Sequence, residues 1–161
     1  MSLTRTYAWD DPQQIAERAR SLSGMEFLAA LIRDGTRVPV GATNNFRLAE
    51  VGEGRCLFLS EPAEYLFNPI GGIHGGWYAC VLDAALGVAV HTTLPAGVGY
   101  TTLEYKVNLT KAVTLGSGEL RCEGKLVSRG RRVATSEARL TGGDGALYAH
   151  ATSTCLILDS R

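Results

Sequence analysis

Asp83 is the only charged side chain between His74 and His91, in a stretch that is otherwise alanine, valine, leucine, glycine, cysteine and two aromatics. An isolated carboxylate among apolar residues is costly unless hydrogen bonds or a polar cavity compensate it, so Asp83 either has a partner or faces a site. Residues three, four and seven apart share a helix face, which puts Gly76, Ala79, Cys80 and Gly87 beside it. That stripe is small. It admits a ligand, or it lets another backbone pack closely while the acid pairs locally, and spacing alone leaves both readings open. Ahead of it, Gly71, Gly72, Gly75 and Gly76 leave the backbone free to turn and to present the unpaired amides of a helix start, which can polarise a carbonyl oxygen. Glycines by themselves need do no more than turn the chain. Joined to Asn68, His74 and Asp83, they point to acid–base or nucleophilic attack at a polarised carbonyl.

The elements that must hold these groups can be read around them. From His74 to just before Pro95 the pattern is that of a helix buried all round. Asp10 or Asp11 ahead of Pro12 starts a helix containing Ile15, Ala19 and Leu22, and a second helix buries Phe27, Leu28, Leu31 and Ile32 before Gly35. These helices are expected to cover an edge or a pocket, with Trp9 as a packing residue. Alternation predicts strands over 43–51 and 55–60, joined at Gly52-Glu53-Gly54. Further strands are predicted over 98–109, 118–127, 132–140 and 147–158, broken by Ser128-Arg129-Gly130 and Gly142-Gly143-Asp144-Gly145. One core helix within a run of antiparallel strands is an α+β layout with a sheet curled round the helix. The expected division is a helical extension over 1–35 and a single domain over 36–161.

Length 161, 45% hydrophobic residues and zero formal charge suit one globular domain with a sizeable core and argue against nucleic acid as partner. Cys56, Cys80, Cys122 and Cys155 are scattered, and no signal-peptide core is visible, so reduced thiols and a cytoplasmic location are expected. Cys80 reads as a small core residue rather than a nucleophile. The apolar run is too short for a membrane span. Three separated histidines make a metal site unexpected. His91 reads as a favourable contact with the helix C-terminus, and His150 has no chemical company.

The motif N-P-I-G-G-I-H-G-G, followed by Asp83 in an apolar helix, resembles the hotdog-fold acyl-CoA thioesterases of the PaaI-like and 4-hydroxybenzoyl-CoA thioesterase group, over roughly residues 24–158. The resemblance implies a hotdog fold, a curved antiparallel sheet wrapped around a long helix. It also implies a homodimer or homotetramer with sites at the subunit interface. By similarity, the Gly75 N–H binds the thioester oxygen, and Asp83 from the neighbouring subunit activates water or attacks directly. Asn68 and His74 orient the water or the leaving sulfur. A hydroxyl is placed near the acid by Thr101 or Thr102, with Thr102 the better match. Gly130 and Arg131, in an arginine-rich connection with Arg129 and Arg132, would lie near the CoA nucleotide.

The implied function is hydrolysis of an acyl-CoA, aryl acyl groups included, with CoA as part of the substrate and no separate cofactor. Leu66, Phe67, Trp77 and Tyr78 are candidate pocket residues. Two alternatives are a non-catalytic acyl-CoA-binding hotdog protein and a hotdog enoyl-CoA hydratase or dehydratase. Retention of Asn68, His74 and Asp83 favours hydrolysis over mere binding, and His74 at the helix start is a thioesterase-like placement.

Overall fold

A computed structural model of the chain describes residues 1–158. Helix α1 (Pro12–Ser21) is capped by Asp11, whose carboxylate accepts from the Gln13 N–H at 2.8 Å, while Pro12 takes the first turn, where it costs no hydrogen bond. Asp10 is engaged elsewhere, with Arg37 at 2.9 Å. Helix α2 (Gly24–Arg33) opens on a capping box between Ser23 and Glu26, buries Phe27, Leu28 and Leu31, and stops at Gly35 in a left-handed conformation.

Two expectations need correction in this region. A short helix α3 (Pro39–Asn44) takes residues assigned in part to the first strand. Pro39 near its start and Asn45 at φ 58° after its end are the local signals that outweigh the alternation. Trp9 is 53% exposed and lies against Tyr7 instead of packing into a core.

The strands are β1 (Phe46–Gly52), β2 (Arg55–Ser60), β3 (Gly99–Leu109), β4 (Leu120–Arg129), β5 (Val133–Gly142) and β6 (Leu147–Leu158). They form one antiparallel sheet in the order β1-β2-β4-β5-β6-β3. Strand β3, although third in the chain, closes one edge. Among the described residues it pairs only with β6, and its register slips at Leu103 between Thr102 and Glu104.

The sheet curls around α4 (Gly75–His91), and small residues on its inner face make room for the helix. Ala134, Ala138, Ala149 and Ala151 are buried there. At Gly124 of β4 a Cβ would collide with the Ala85 carbonyl of α4, so only glycine lets helix and strand approach this closely. Val81, Leu82, Ala85, Leu86, Ala89 and Val90 are fully buried against the sheet and its neighbours.

The helix is not enclosed on every side. Its remaining stripe, Asp83, Ala84, Gly87, Val88 and His91, lies between the two edge strands β1 and β3 and under α2, where it lines a cavity of about 830 Å³. Gly24 fixes α2 there: its N–H donates to the Leu94 carbonyl at 2.9 Å, and a Cβ would meet the carbonyl of His91. Among the described residues no helix is long and apolar enough to cross a membrane.

Candidate active site

The loop before α4 is organised by Asn68. Its side-chain oxygen accepts from the N–H groups of Ile70 at 3.0 Å and Gly72 at 3.1 Å, and its own N–H donates to the Gly72 carbonyl at 2.7 Å. A bridge between Phe67 and Ile73 closes the loop at its base, and Gly71 takes φ 83°, a conformation open to glycine. The side-chain NH₂ of Asn68 has no protein partner among the described residues.

His74 is the N-cap of α4. Its Nδ1 accepts from the Gly76 N–H at 2.9 Å, so in the neutral ring Nε2 carries the proton and is a donor. The Trp77 N–H turns back to the His74 carbonyl. Between them the Gly75 N–H has no partner among the described residues, and Gly75 is exposed. This is an amide at a positive helix end aimed at open space, the arrangement that stabilises an oxyanion.

Asp83 is half-buried on the cavity stripe, and its Oδ1 accepts from the Thr102 hydroxyl at 3.1 Å. Alternation along β3 sends Thr102 inward and leaves Thr101 exposed, so of the two threonines it is Thr102 that reaches the acid. The carboxylate thus has both a partner and a cavity. Cys80, one turn before Asp83, is a free thiol that burial, and then the Asp83 charge, push above its ordinary pKa, which keeps it protonated. Cys56 is pushed up to about 12 by burial.

The predicted residues fall into two groups. Asn68, His74 and Gly75 meet at the start of α4, and Asp83 and Thr102 meet two turns further on. Eight residues at 1.5 Å each separate Gly75 from Asp83 by about 12 Å along the axis, too far for one chain to place both on one carbonyl.

Gly130 and Arg131 form the β4–β5 turn, where the Gly130 N–H donates to the Val133 carbonyl at 2.8 Å. Arg129 ties this turn to the far end of α4 through the Thr93 carbonyl at 2.6 Å, whereas Arg131 and Arg132 have no carboxylate partner among the described residues.

None of the four candidate pocket residues lines the cavity. Leu66, Trp77 and Tyr78 are buried in the core at 8%, 4% and 3% exposure, with the Trp77 indole N–H bonded to the Asn44 carbonyl and the Tyr78 hydroxyl accepting from Val113 N–H. Phe67 is exposed and outside the cavity. In their place stand His91 and Tyr100. The His91 ring sits 5.7 Å from Phe27 and 5.4 Å from Tyr100. Burial lowers its pKa, so it is neutral near pH 7 and is no cationic partner for the helix end. The same 3.6-residue period that links Asp83 to Gly87 extends to His91 and is the sequence signal that finds it.

Comparison with known proteins bears on the fold that holds these residues. A family profile described as the thioesterase superfamily matches residues 70–149, which include Gly75, Asp83 and Thr102. A thioesterase family protein from Silicibacter pomeroyi is similar in structure, with TM-score 0.71 and 27% identity over 81% of this chain and 98% of its own. A phenylacetic acid degradation-related protein from Ralstonia eutropha is similar with TM-score 0.71 and 28% identity, over 80% and 98% respectively. A Streptococcus mutans protein bound to acetyl CoA is similar with TM-score 0.65 and 25% identity, over 73% and 91%. A search of curated protein sequences returns no match. With an antiparallel sheet wrapped around a central helix, the chain has the hotdog fold and is similar to proteins of the thioesterase superfamily, whose profile it matches over 70–149.

Proposed function

We propose that the protein hydrolyses acyl-CoA thioesters in a site completed by a second copy of the chain. The observation that carries this reading is the placement of the two half-sites along β3. Thr102, bonded to Asp83, lies toward one end of that strand, and Leu109, whose Cδ1 is 3.8 Å from where a Gly75 Cβ would stand, lies at the other. The outer edge of β3 is unpaired among the described residues and carries exposed Leu103, Tyr105 and Leu109, a surface that single chains seldom leave open. Antiparallel pairing of two such strands about their middle brings the Asp83–Thr102 end of one copy beside the Gly75–Leu109 end of the other.

In that site the Gly75 N–H donates to the developing oxyanion of the thioester carbonyl. Asp83 of the other copy either removes a proton from water as the water oxygen bonds to the carbonyl carbon, or attacks that carbon itself to give an anhydride that water then opens. In both routes the C–S bond breaks, the sulfur leaves with a proton to become the CoA thiol, and the acyl group departs as a free acid. His74 Nε2–H and the Asn68 amide stand as donors for water or the leaving sulfur, and Thr102 holds the Asp83 carboxylate. Gly130 and Arg131 meet CoA phosphates, for which an unpaired guanidinium is suited. Acetyl CoA bound to the S. mutans relative supports CoA esters as the substrate class.

The test is thiol release from a panel of acyl-CoAs by the wild type and by Asp83→Asn. Loss of about 10²–10⁴-fold in kcat, with the thermal midpoint little changed, is expected for the acid. Undiminished turnover in Asp83→Asn rejects the assignment, and tight acyl-CoA binding without hydrolysis would identify a binding protein instead.

A further inference from the structure

The cavity beside Asp83 holds polar atoms that hydrolysis does not use. Phe27, Leu28 and Leu31 of α2 and Val88 of α4 make most of its wall apolar. Its volume, about 830 Å³, is within the range of small-molecule sites. Gly87 is missing a side chain where Tyr100 crosses the helix: a Cβ there would stand 2.8 Å from the Tyr100 hydroxyl. That hydroxyl has no hydrogen-bond partner among the described residues, nor do the His91 ring nitrogens next to it. Burial raises the Tyr100 pKa, which keeps its proton in place as a donor, and the neutral His91 ring offers one donor and one acceptor. Of the cationic side chains that also reach the cavity, Arg5 is engaged with the Ala42 and Thr43 carbonyls and Arg37 with Asp10, while exposed Arg47 of β1 has no carboxylate partner among the described residues. Tyr100 and His91 are themselves uncharged, so the end of the cavity they form suits an uncharged oxygen.

We infer that the acyl group of the substrate enters this cavity from Asp83, and that Tyr100 and His91 select acyl groups carrying a hydroxyl or keto oxygen over hydrocarbon of equal length. The inference rests on the thioesterase reading above. Gly87 and His91 lie one and two turns beyond Asp83, so the selected oxygen sits about 6–12 Å from the carboxylate. An acyl group without that oxygen would cover these two polar groups and strip them of water without pairing them, and this is the source of the discrimination.

The measurement is kcat/KM for octanoyl-CoA and ω-hydroxyoctanoyl-CoA. The wild type is expected to favour the hydroxylated ester by about tenfold. Tyr100→Phe, which keeps the ring over Gly87, should bring the ratio close to one, and Gly87→Ala, which displaces the Tyr100 ring, should lower it as well. A wild-type ratio at or below one overturns the inference, as does a Tyr100→Phe enzyme that is folded by circular dichroism and keeps the wild-type ratio. If no CoA ester releases thiol, the hydrolysis reading fails by itself. Equilibrium binding of the two esters to wild type and Tyr100→Phe then decides the pocket's selectivity, with the same ratios expected and the same outcomes fatal.

Discussion

The start and the middle of α4 are built on opposite plans. At the start, exposed Gly75 and Gly76 follow a loop held by side-chain-to-backbone bonds from Asn68 and His74, and the functional group on offer is a bare backbone amide. In the middle, the functional group is a side chain, Asp83, half-buried, fixed by one hydroxyl from the edge strand and facing an apolar cavity. A donor for a developing oxyanion gains from the unpaired N–H groups and partial charge of a helix terminus, which only the first turn provides. A base or nucleophile gains from being held where water is partly excluded, which only the packed body of the helix provides. One helix cannot bring its own two ends to the same atom, so the proposed hydrolysis requires a division of labour between copies.

The sharpest way to break this comparison is to disable each half separately. Gly75→Pro removes the amide proton with little cost to the fold: proline is favoured in the first helical turn, His74 already has the extended φ −64°, ψ 135° that proline demands of its predecessor, and the space at Gly75 admits a Cβ. Turnover should fall about 10²–10³-fold. Mixing Gly75→Pro with Asp83→Ala chains, after unfolding and refolding together, should restore roughly a quarter of wild-type turnover, because half the pairs are mixed and each carries one intact site. A mixture as inactive as its parents would show that the two groups act within one chain or not at all.

A smaller loss is expected at the hydroxyl that holds the acid. Thr102→Val keeps the shape of the β3 side chain and deletes the 3.1 Å bond to Asp83, so kcat should fall about tenfold while KM stays within about twofold. Thr102→Ser should restore most of the loss, whereas Thr101→Val, on the exposed face of the strand, should change neither constant. Equal effects at 101 and 102 would mean that β-propensity, not the bond to Asp83, is what the mutations disturb.

Much of this comparison was readable in the residues. Alternation located five of the six strands to within about two residues, and it singled out Thr102 as one of two candidates. Spacing from Asp83 put Gly87 on the open face of α4, whereas Gly76, Ala79 and Cys80, named with it, do not line the cavity. What failed was orientation between elements. Trp77 and Tyr78 look like pocket aromatics because they lie between His74 and Asp83, yet at 100° per residue both sit more than about 100° around the helix from the acid, on the core side. The role of α2 was legible only as a cover. That it pins itself on α4 through Gly24 and the His91 carbonyl, and so shapes the cavity, depends on a contact between residues 67 apart that no local pattern records. Helix α3 was lost because Thr43 to Val51 alternates well enough to hide Pro39 and Asn45 as helix boundaries.

The smallest effect concerns Asn68, where two roles can be separated. Its oxygen holds the loop through the Ile70 and Gly72 amides, while its NH₂ is left as a donor toward the proposed water or sulfur. Asn68→Ala removes both, and turnover is expected to fall about three- to tenfold, with faster hydrogen exchange at those two amides. Asn68→Asp keeps an acceptor at the same position and discards the donor. It should return exchange at Ile70 and Gly72 to near wild-type rates and leave turnover as low as in the alanine variant. If aspartate also restores turnover, Asn68 acts on the Gly75 amide solely by shaping the loop in front of it, and the donor half of the site reduces to the backbone and His74.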